Sequence, residues 1–263
     1  MLPQNKTNNI IMSIDSDNVL QFGMVAGGGS NEEGCFAVSI VHITARHEKT
    51  NNALYDMENQ LFKDCTKHNI KVTLSCVEAN QWARDLMPWP DSAVSCDEEV
   101  GRHAADTLAW LDSQKDRWSG SSNDRVPFGR LCSDHVCPVI LGGYSLGGLF
   151  SLWATRRCSL FQGVVAGSPS LWIRDWDTYA KAHPIHVQSA YLSLGLSEEH
   201  CRNQRMAKVG DCVRREHELL TEELGENRTV LEWNEGGHFV NEGIRMANGY
   251  LWTILNLRQQ QAK

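Results

Sequence analysis

No stretch of this 263-residue sequence is apolar for long enough to cross a bilayer. Its longest apolar runs, at 139–141 and 149–154, fall far short of the ~20 residues that a spanning helix needs. Runs of lysine or arginine are also missing: 25 basic against 32 acidic residues leave a net charge of −7, which argues against a nucleic-acid surface. Proline is scarce, with 7 residues against 21 glycines, and there is no internal repeat, low-complexity tract or linker. Collagen-like, heptad-repeat and disordered chains are thereby excluded. The first fifteen residues, MLPQNKTNNIIMSID, hold no apolar segment of the kind that directs export, so a cytoplasmic location is expected. Nine cysteines, an odd number without framework spacing, then read as reduced thiols. Cys132, His135 and Cys137 are too few for a zinc site, and the glycines at 27–29 precede no lysine or helix, so neither a metal nor another cofactor is expected.

The sequence does hold 41% hydrophobic residues, enough for one large core. Near-continuous apolar runs at 36–43, 71–78, 138–143, 163–166, 186–195 and 228–234 read as buried parallel strands. Segments of helical period fall between them, at 52–68, 96–118, 148–157, 206–224 and 243–258. Residues 11–14 and 19–25 fit an antiparallel hairpin at a sheet edge. Strand–helix alternation over the whole length predicts a single α/β domain, residues 1–263, with a mostly parallel sheet and helices on both faces. Ligands of such sheets lie beyond the C-terminal ends of the strands.

At one such end stands Gly143-Tyr144-Ser145-Leu146-Gly147, a G-x-S-x-G pattern with an apolar strand before it and a helical segment after it. Small residues two before and two after the serine let strand and helix almost touch, and hold Oγ above the sheet at a helix N-terminus. Ser145 is the candidate nucleophile, and the Leu146 N–H a candidate oxyanion donor. A serine needs a base and an orienting acid, expected later in the chain in the order acid, then histidine. His238, in Glu235-Gly236-Gly237-His238-Phe239 after the last expected strand, is the candidate base, ahead of His200 and His217. Glu198, just past the strand ending at Gly195, is the candidate acid, with Glu199 and Asp175 as competitors and a Ser–His dyad as a further reading.

Together, GYSLGGLF around Ser145, Ser168-Pro169-Ser170-Leu171-Trp172, Gly195 to Glu198 and EGGHF around His238 resemble the putative-esterase branch of the α/β-hydrolases. That branch includes esterase D-like and enterochelin (siderophore) esterase-like proteins and mycolyltransferases. The resemblance implies an α/β-hydrolase fold, a Ser–acid–His triad and ester hydrolysis through an acyl-enzyme. It also implies a second oxyanion donor at 44–46, with Ala45 the candidate, although VHITARHEKTNN lacks the family's glycine-rich turn there.

Trp82, Arg84 and Trp89 in QWARDLMPWP, with Trp172 and Trp176, are expected to line an aromatic pocket holding one cation for a small-molecule ester. The rival reading is that these tryptophans cap the sheet. Acyl transfer, thioester or peptide cleavage by the same residues, and a non-catalytic binding protein, are the alternative functions. No nucleic-acid or membrane partner is expected.

Overall fold

The computed structural model describes residues 11–14, 19–24, 36–45, 48–79, 81–94, 100–118 and 137–262. Strands β1 (Ile11–Ile14), β2 (Val19–Met24) and β3 (Phe36–Ala45) open the chain. Helix α1 (Glu48–Lys67) leads to β4 (Ile70–Ala79), followed by α2 (Trp82–Leu86), α3 (Arg102–Ser113) and α4 (Lys115–Trp118). Then come β5 (Val139–Tyr144), α5 (Leu146–Thr155), β6 (Gly163–Gly167) and α6 (Trp176–Ala182). β7 (Ser189–Gly195), α7 (Val209–Leu224), β8 (Thr229–Asn234) and α8 (Glu242–Gln261) complete it.

All eight strands join one sheet in the order β1-β2-β4-β3-β5-β6-β7-β8. The six from β4 to β8 are parallel, and the β1–β2 hairpin adds antiparallel to β4 at one edge, as the sequence suggests. β5, β6 and β7 are buried along their whole length, which explains their unbroken apolar runs. Strand β3 divides its side chains between the faces. Val41 and Ile43 enter the core that α3, α5, α6 and α7 cover, and Val38 and Ile40 the one under α1 and α8.

Helix α7 turns Val209, Val213 and Leu220 inward and stops at Gly225, φ 95. The helix expected over 206–224 begins at Val209, and Met206 precedes it and is exposed. Glu216 shares the buried face instead, where it meets Arg156 at the end of α5. Arg156 Nη2 donates to Glu216 Oε1 at 2.8 Å, and Nη1 to the carbonyls of Ala180 and His183 at 3.0 and 2.7 Å and to Glu223. The second Glu216 oxygen accepts from Trp176 Nε1 at 2.9 Å. One buried cation thus pins α5, α6 and α7 together.

The expected helix over 96–118 is shorter. It begins at Arg102 after Gly101, whose φ of 96 breaks the preceding turn, and it is interrupted at Gln114. Residues 81–90 hold the short α2, and α6, seven residues long, offers too few turns for its period to show in the sequence. The loops at 26–34 and 119–125, the acids at 97–99 and positions 132–136 lie outside the described residues. The six described cysteines are free thiols, four of them buried. Among the described residues no helix is long and apolar enough to cross a membrane.

Candidate active site

The chain leaves β5 at Tyr144, turns at Ser145 and enters α5 at Leu146. Ser145 sits at φ 58, ψ −117, a region that costs a non-glycine residue about 1–3 kcal/mol. Its surroundings hold it there: Ser145 N donates to the Gly167 carbonyl at 2.9 Å, and its own carbonyl accepts from Leu149 N and Ser170 N, each at 3.1 Å. A Cβ on Gly143 would stand 2.6 Å from the carbonyl carbon of Gly147, so that position admits no side chain. A Cβ on Gly147 would stand 3.0 Å from Ile43 O. The tight turn that the glycine spacing predicts is therefore present.

Two later strands end beside this turn. The loop after β7 carries Glu198 and the loop after β8 carries His238. They are zipped together by Leu196 N donating to Asn234 O and Ser197 N to Gly236 O, each at 2.9 Å. The Tyr144 hydroxyl donates to the His238 carbonyl at 2.7 Å and fixes that loop from below. In consequence His238 Nε2 lies 3.1 Å from Ser145 Oγ, and Nδ1 lies 2.7 Å from Glu198 Oε2. The imidazole is 27% exposed and the carboxylate 5%, so solvent reaches one end of this chain of groups and not the other.

Burial alone pushes the Glu198 carboxyl up. Hydrogen bonds from His238, from Ser168 Oγ at 2.5 Å and from Gly195 N at 2.7 Å outweigh it and hold the group below the ordinary glutamate value. An ionised carboxylate only accepts, so the ring proton of His238 belongs on Nδ1. The Nε2 lone pair is left facing the Ser145 hydroxyl.

Leu146 N is among the first N–H groups of α5, which the helix itself cannot satisfy and which carry its positive dipole end. Ala45 ends β3, and the β3–β5 ladder pairs Ile43 with Gly143, bringing that strand end alongside the turn. Arg46 lies outside the described residues. The hydroxyl of Ser170 stands 3.4 Å from Ser145 Oγ.

The expected pocket residues divide. Trp82 packs against the turn, its Cη2 3.2 Å from where a Gly147 Cβ would be. Trp172 is half-buried beneath the Arg205 guanidinium, 5.7 Å from its ring centre. Trp89 stacks on Trp176, packs tilted against Tyr179 and donates from its indole to Arg174 O at 2.9 Å. Trp176 itself is fully buried, a correction to its place in a pocket. Arg84 Nη2 lies 2.6 Å from His103 Nε2 on α3. The competing acids lie elsewhere: Glu199 pairs with Arg214 at 2.8 Å and Asp175 with Arg174 at 3.3 Å. His217 is on α7, and His200 is exposed.

Three residues without an assigned role in the sequence join the site from beneath. Arg245 of α8 donates to Tyr144 Oη at 2.5 Å and to Ser168 Oγ at 2.7 Å. The signal in the sequence was a lone charge on the buried stripe of Met246, Ala247, Tyr250 and Ile254.

By sequence, no protein-family model and no curated protein matches the chain. In structure it is similar to the siderophore hydrolase EstB from Aspergillus nidulans, with TM-score 0.64 and 18% identity over 95% of each chain. The siderophore hydrolase EstA from the same organism gives TM-score 0.58 and 17% identity over 99% of this chain and 97% of that one. An IroE-like serine hydrolase from Shewanella oneidensis gives 0.56 and 14%, covering 88% of this chain and 75% of its own.

The chain has the α/β-hydrolase fold.

At these identities the likeness is one of fold. An α/β-hydrolase presents its nucleophile on a sharp turn after a central strand, with acid and histidine following from later strands in that order. Ser145 after β5, Glu198 after β7 and His238 after β8 occupy that order here.

Proposed function

We propose that this α/β-hydrolase is a serine hydrolase that cleaves carboxylic esters of small molecules through an acyl-enzyme on Ser145. The observation that carries the proposal is the unbroken line from Glu198 Oε2 to His238 Nδ1 at 2.7 Å and from His238 Nε2 to Ser145 Oγ at 3.1 Å. His238 takes the Ser145 proton as Oγ attacks the ester carbonyl carbon, and Glu198 stabilises the imidazolium that forms. The tetrahedral oxyanion rests on the Leu146 N–H and on backbone at the end of β3 near Ala45. Collapse of the intermediate breaks the bond to the alcohol, which leaves with the proton from His238. Water then loses its proton to His238, attacks the acyl carbon and frees the acid, and Ser145 regains its hydrogen. Trp82 beside the turn and Trp172 supply flat apolar surface for the acyl or aryl part, and siderophore-type esters are one class that fits the EGGHF and SPSLW resemblance.

Fluorophosphonate labelling tests this directly. Wild type is expected to be labelled and Ser145→Ala not; equal labelling of the two removes Ser145 from the role. Parallel assays on aryl esters, thioesters and amides rank the related acyl chemistries, and a bound ligand without turnover would point to a binding protein instead.

A further inference from the structure

Beneath the triad two hydroxyl oxygens face each other: Tyr144 Oη and Ser168 Oγ lie 3.0 Å apart. Each has a single proton to give. Tyr144 spends its proton on the His238 carbonyl at 2.7 Å, and Ser168 spends its own on Glu198 Oε1 at 2.5 Å. Neither has a proton left for the other, so the pair needs a donor from outside. Arg245 supplies it, with Nη1 donating to Tyr144 Oη at 2.5 Å and Nη2 to Ser168 Oγ at 2.7 Å and Ser193 Oγ at 3.2 Å. Its side chain is 2% exposed and forms an ion pair with Glu198 at 3.5 Å. The other ionisable groups around it are Glu242, half-buried on the same helix and within electrostatic reach of both Arg245 and His238, and Tyr191 on β7, whose hydroxyl is committed to Glu232.

We propose that Arg245 is the positioning residue of the triad: its guanidinium aims the Tyr144 hydroxyl at the backbone of His238 and the Ser168 hydroxyl at Glu198, so one cation on α8 holds both partners of Ser145 from behind. The proposal rests on the reading of Ser145, His238 and Glu198 as a working triad. A planar fork reaches two acceptors 3.0 Å apart in a fixed direction, which a lysine ammonium does not reproduce. Without the fork, one of the two hydroxyls turns its proton to the other, and the triad partner it held loses a fixed bond.

The experiment compares Arg245→Met, Arg245→Lys and Ser168→Ala in the wild-type and Glu198→Gln backgrounds. Hydrolysis of p-nitrophenyl butyrate and the proton resonance of His238 Nδ1–H are the readouts. Arg245→Met is expected to lower kcat by roughly tenfold or more with KM little changed, the scale of a misplaced catalytic group. It should also broaden or erase the Nδ1–H resonance, with Arg245→Lys recovering only part of either. In the Glu198→Gln background the further loss should shrink to about twofold or less, because coupled residues do not add. Equal losses in both backgrounds with the resonance intact would make Arg245 a purely structural residue and overturn the proposal. Should Arg245→Met fail to fold, Ser168→Ala removes the link while keeping the cation and is read by the same coupling and the same resonance. Failure of the hydrolase reading is a separate result, in which fluorophosphonate labels Ser145→Ala as strongly as wild type.

Discussion

Two buried arginine–glutamate pairs lie on opposite faces of one sheet. Arg156 meets Glu216 at 2.8 Å in the layer of α5, α6 and α7, and Arg245 of α8 meets Glu198 at 3.5 Å. Both cations are almost completely buried, and each satisfies several carbonyl or hydroxyl oxygens besides its carboxylate. The difference lies at the far end of each network. Glu216 spends its second oxygen on the indole of Trp176, itself sealed in the core. Glu198 spends its second oxygen on an imidazole that solvent touches. The two carboxyls shift in opposite directions: burial pushes Glu216 up despite Arg156, whereas Glu198 ends below its ordinary value through three hydrogen bonds. A buried ion pair by itself therefore marks neither stability nor function; what it is wired to does.

Substitutions can break that contrast. Ser145→Ala and Glu198→Gln are expected to have the largest effects, each lowering kcat on an activated ester by about 10^4-fold or more. Glu198→Gln should leave the folded state intact by circular dichroism. Arg156→Met should do the reverse. Stranding Glu216 costs about 3–5 kcal/mol of stability in a urea titration, while the protein still folded keeps its fluorophosphonate labelling. If Arg156→Met abolished labelling of folded protein, the two networks would not be separable.

A third buried pair, His42 Nδ1 with Tyr250 Oη at 2.8 Å, sharpens the comparison because it carries no charge. Burial pushes the pKa of His42 from 6.5 down to about 4. The unfolded chain takes up this proton below pH 6.5 and the folded chain refuses it until about pH 4. The associated stability is thus complete above pH 6.5 and drains away down to pH 4, by about 3 kcal/mol in all. His42→Gln should flatten that stretch of the stability–pH curve; a variant as acid-sensitive as wild type would assign the slope to other groups. Gly143→Ala comes next, with about 1–3 kcal/mol of overpacking that falls on the serine turn, read as lost labelling before lost fold. Ser170→Ala, which removes only the 3.4 Å contact to Ser145 Oγ, should change kcat by about threefold or less.

Much of the architecture was legible because it is written locally. Buried parallel strands announce themselves as apolar runs, and the turn at Ser145 announces itself through Gly143 and Gly147, whose spacing the backbone contact demands. Glu198 and His238 were singled out as candidates by their place after strands, a topological rule that needs no contact information. What the sequence left silent are partners that meet only across the sheet. Arg245 lies 77 positions from Ser168 and 101 from Tyr144, so no spacing links them. Glu216 looks like one more polar residue of α7 until Arg156 is placed opposite it. The aromatic segment at 81–90 divides for the same reason. Tryptophan composition does not tell a ring that meets the turn, as Trp82 does, from one stacked inward, as Trp89 is on Trp176.

Ser145, the proposed nucleophile, follows β5, flanked by β3 and β6, whereas His238 hangs from β8, the outermost strand on its side. Strand edges fray first, so a brief loosening at this margin would swing the imidazole away while the serine stayed seated, silencing the molecule long before it melts. Amide exchange that is quicker in β8 than in β5 would be the footprint of such a fault line.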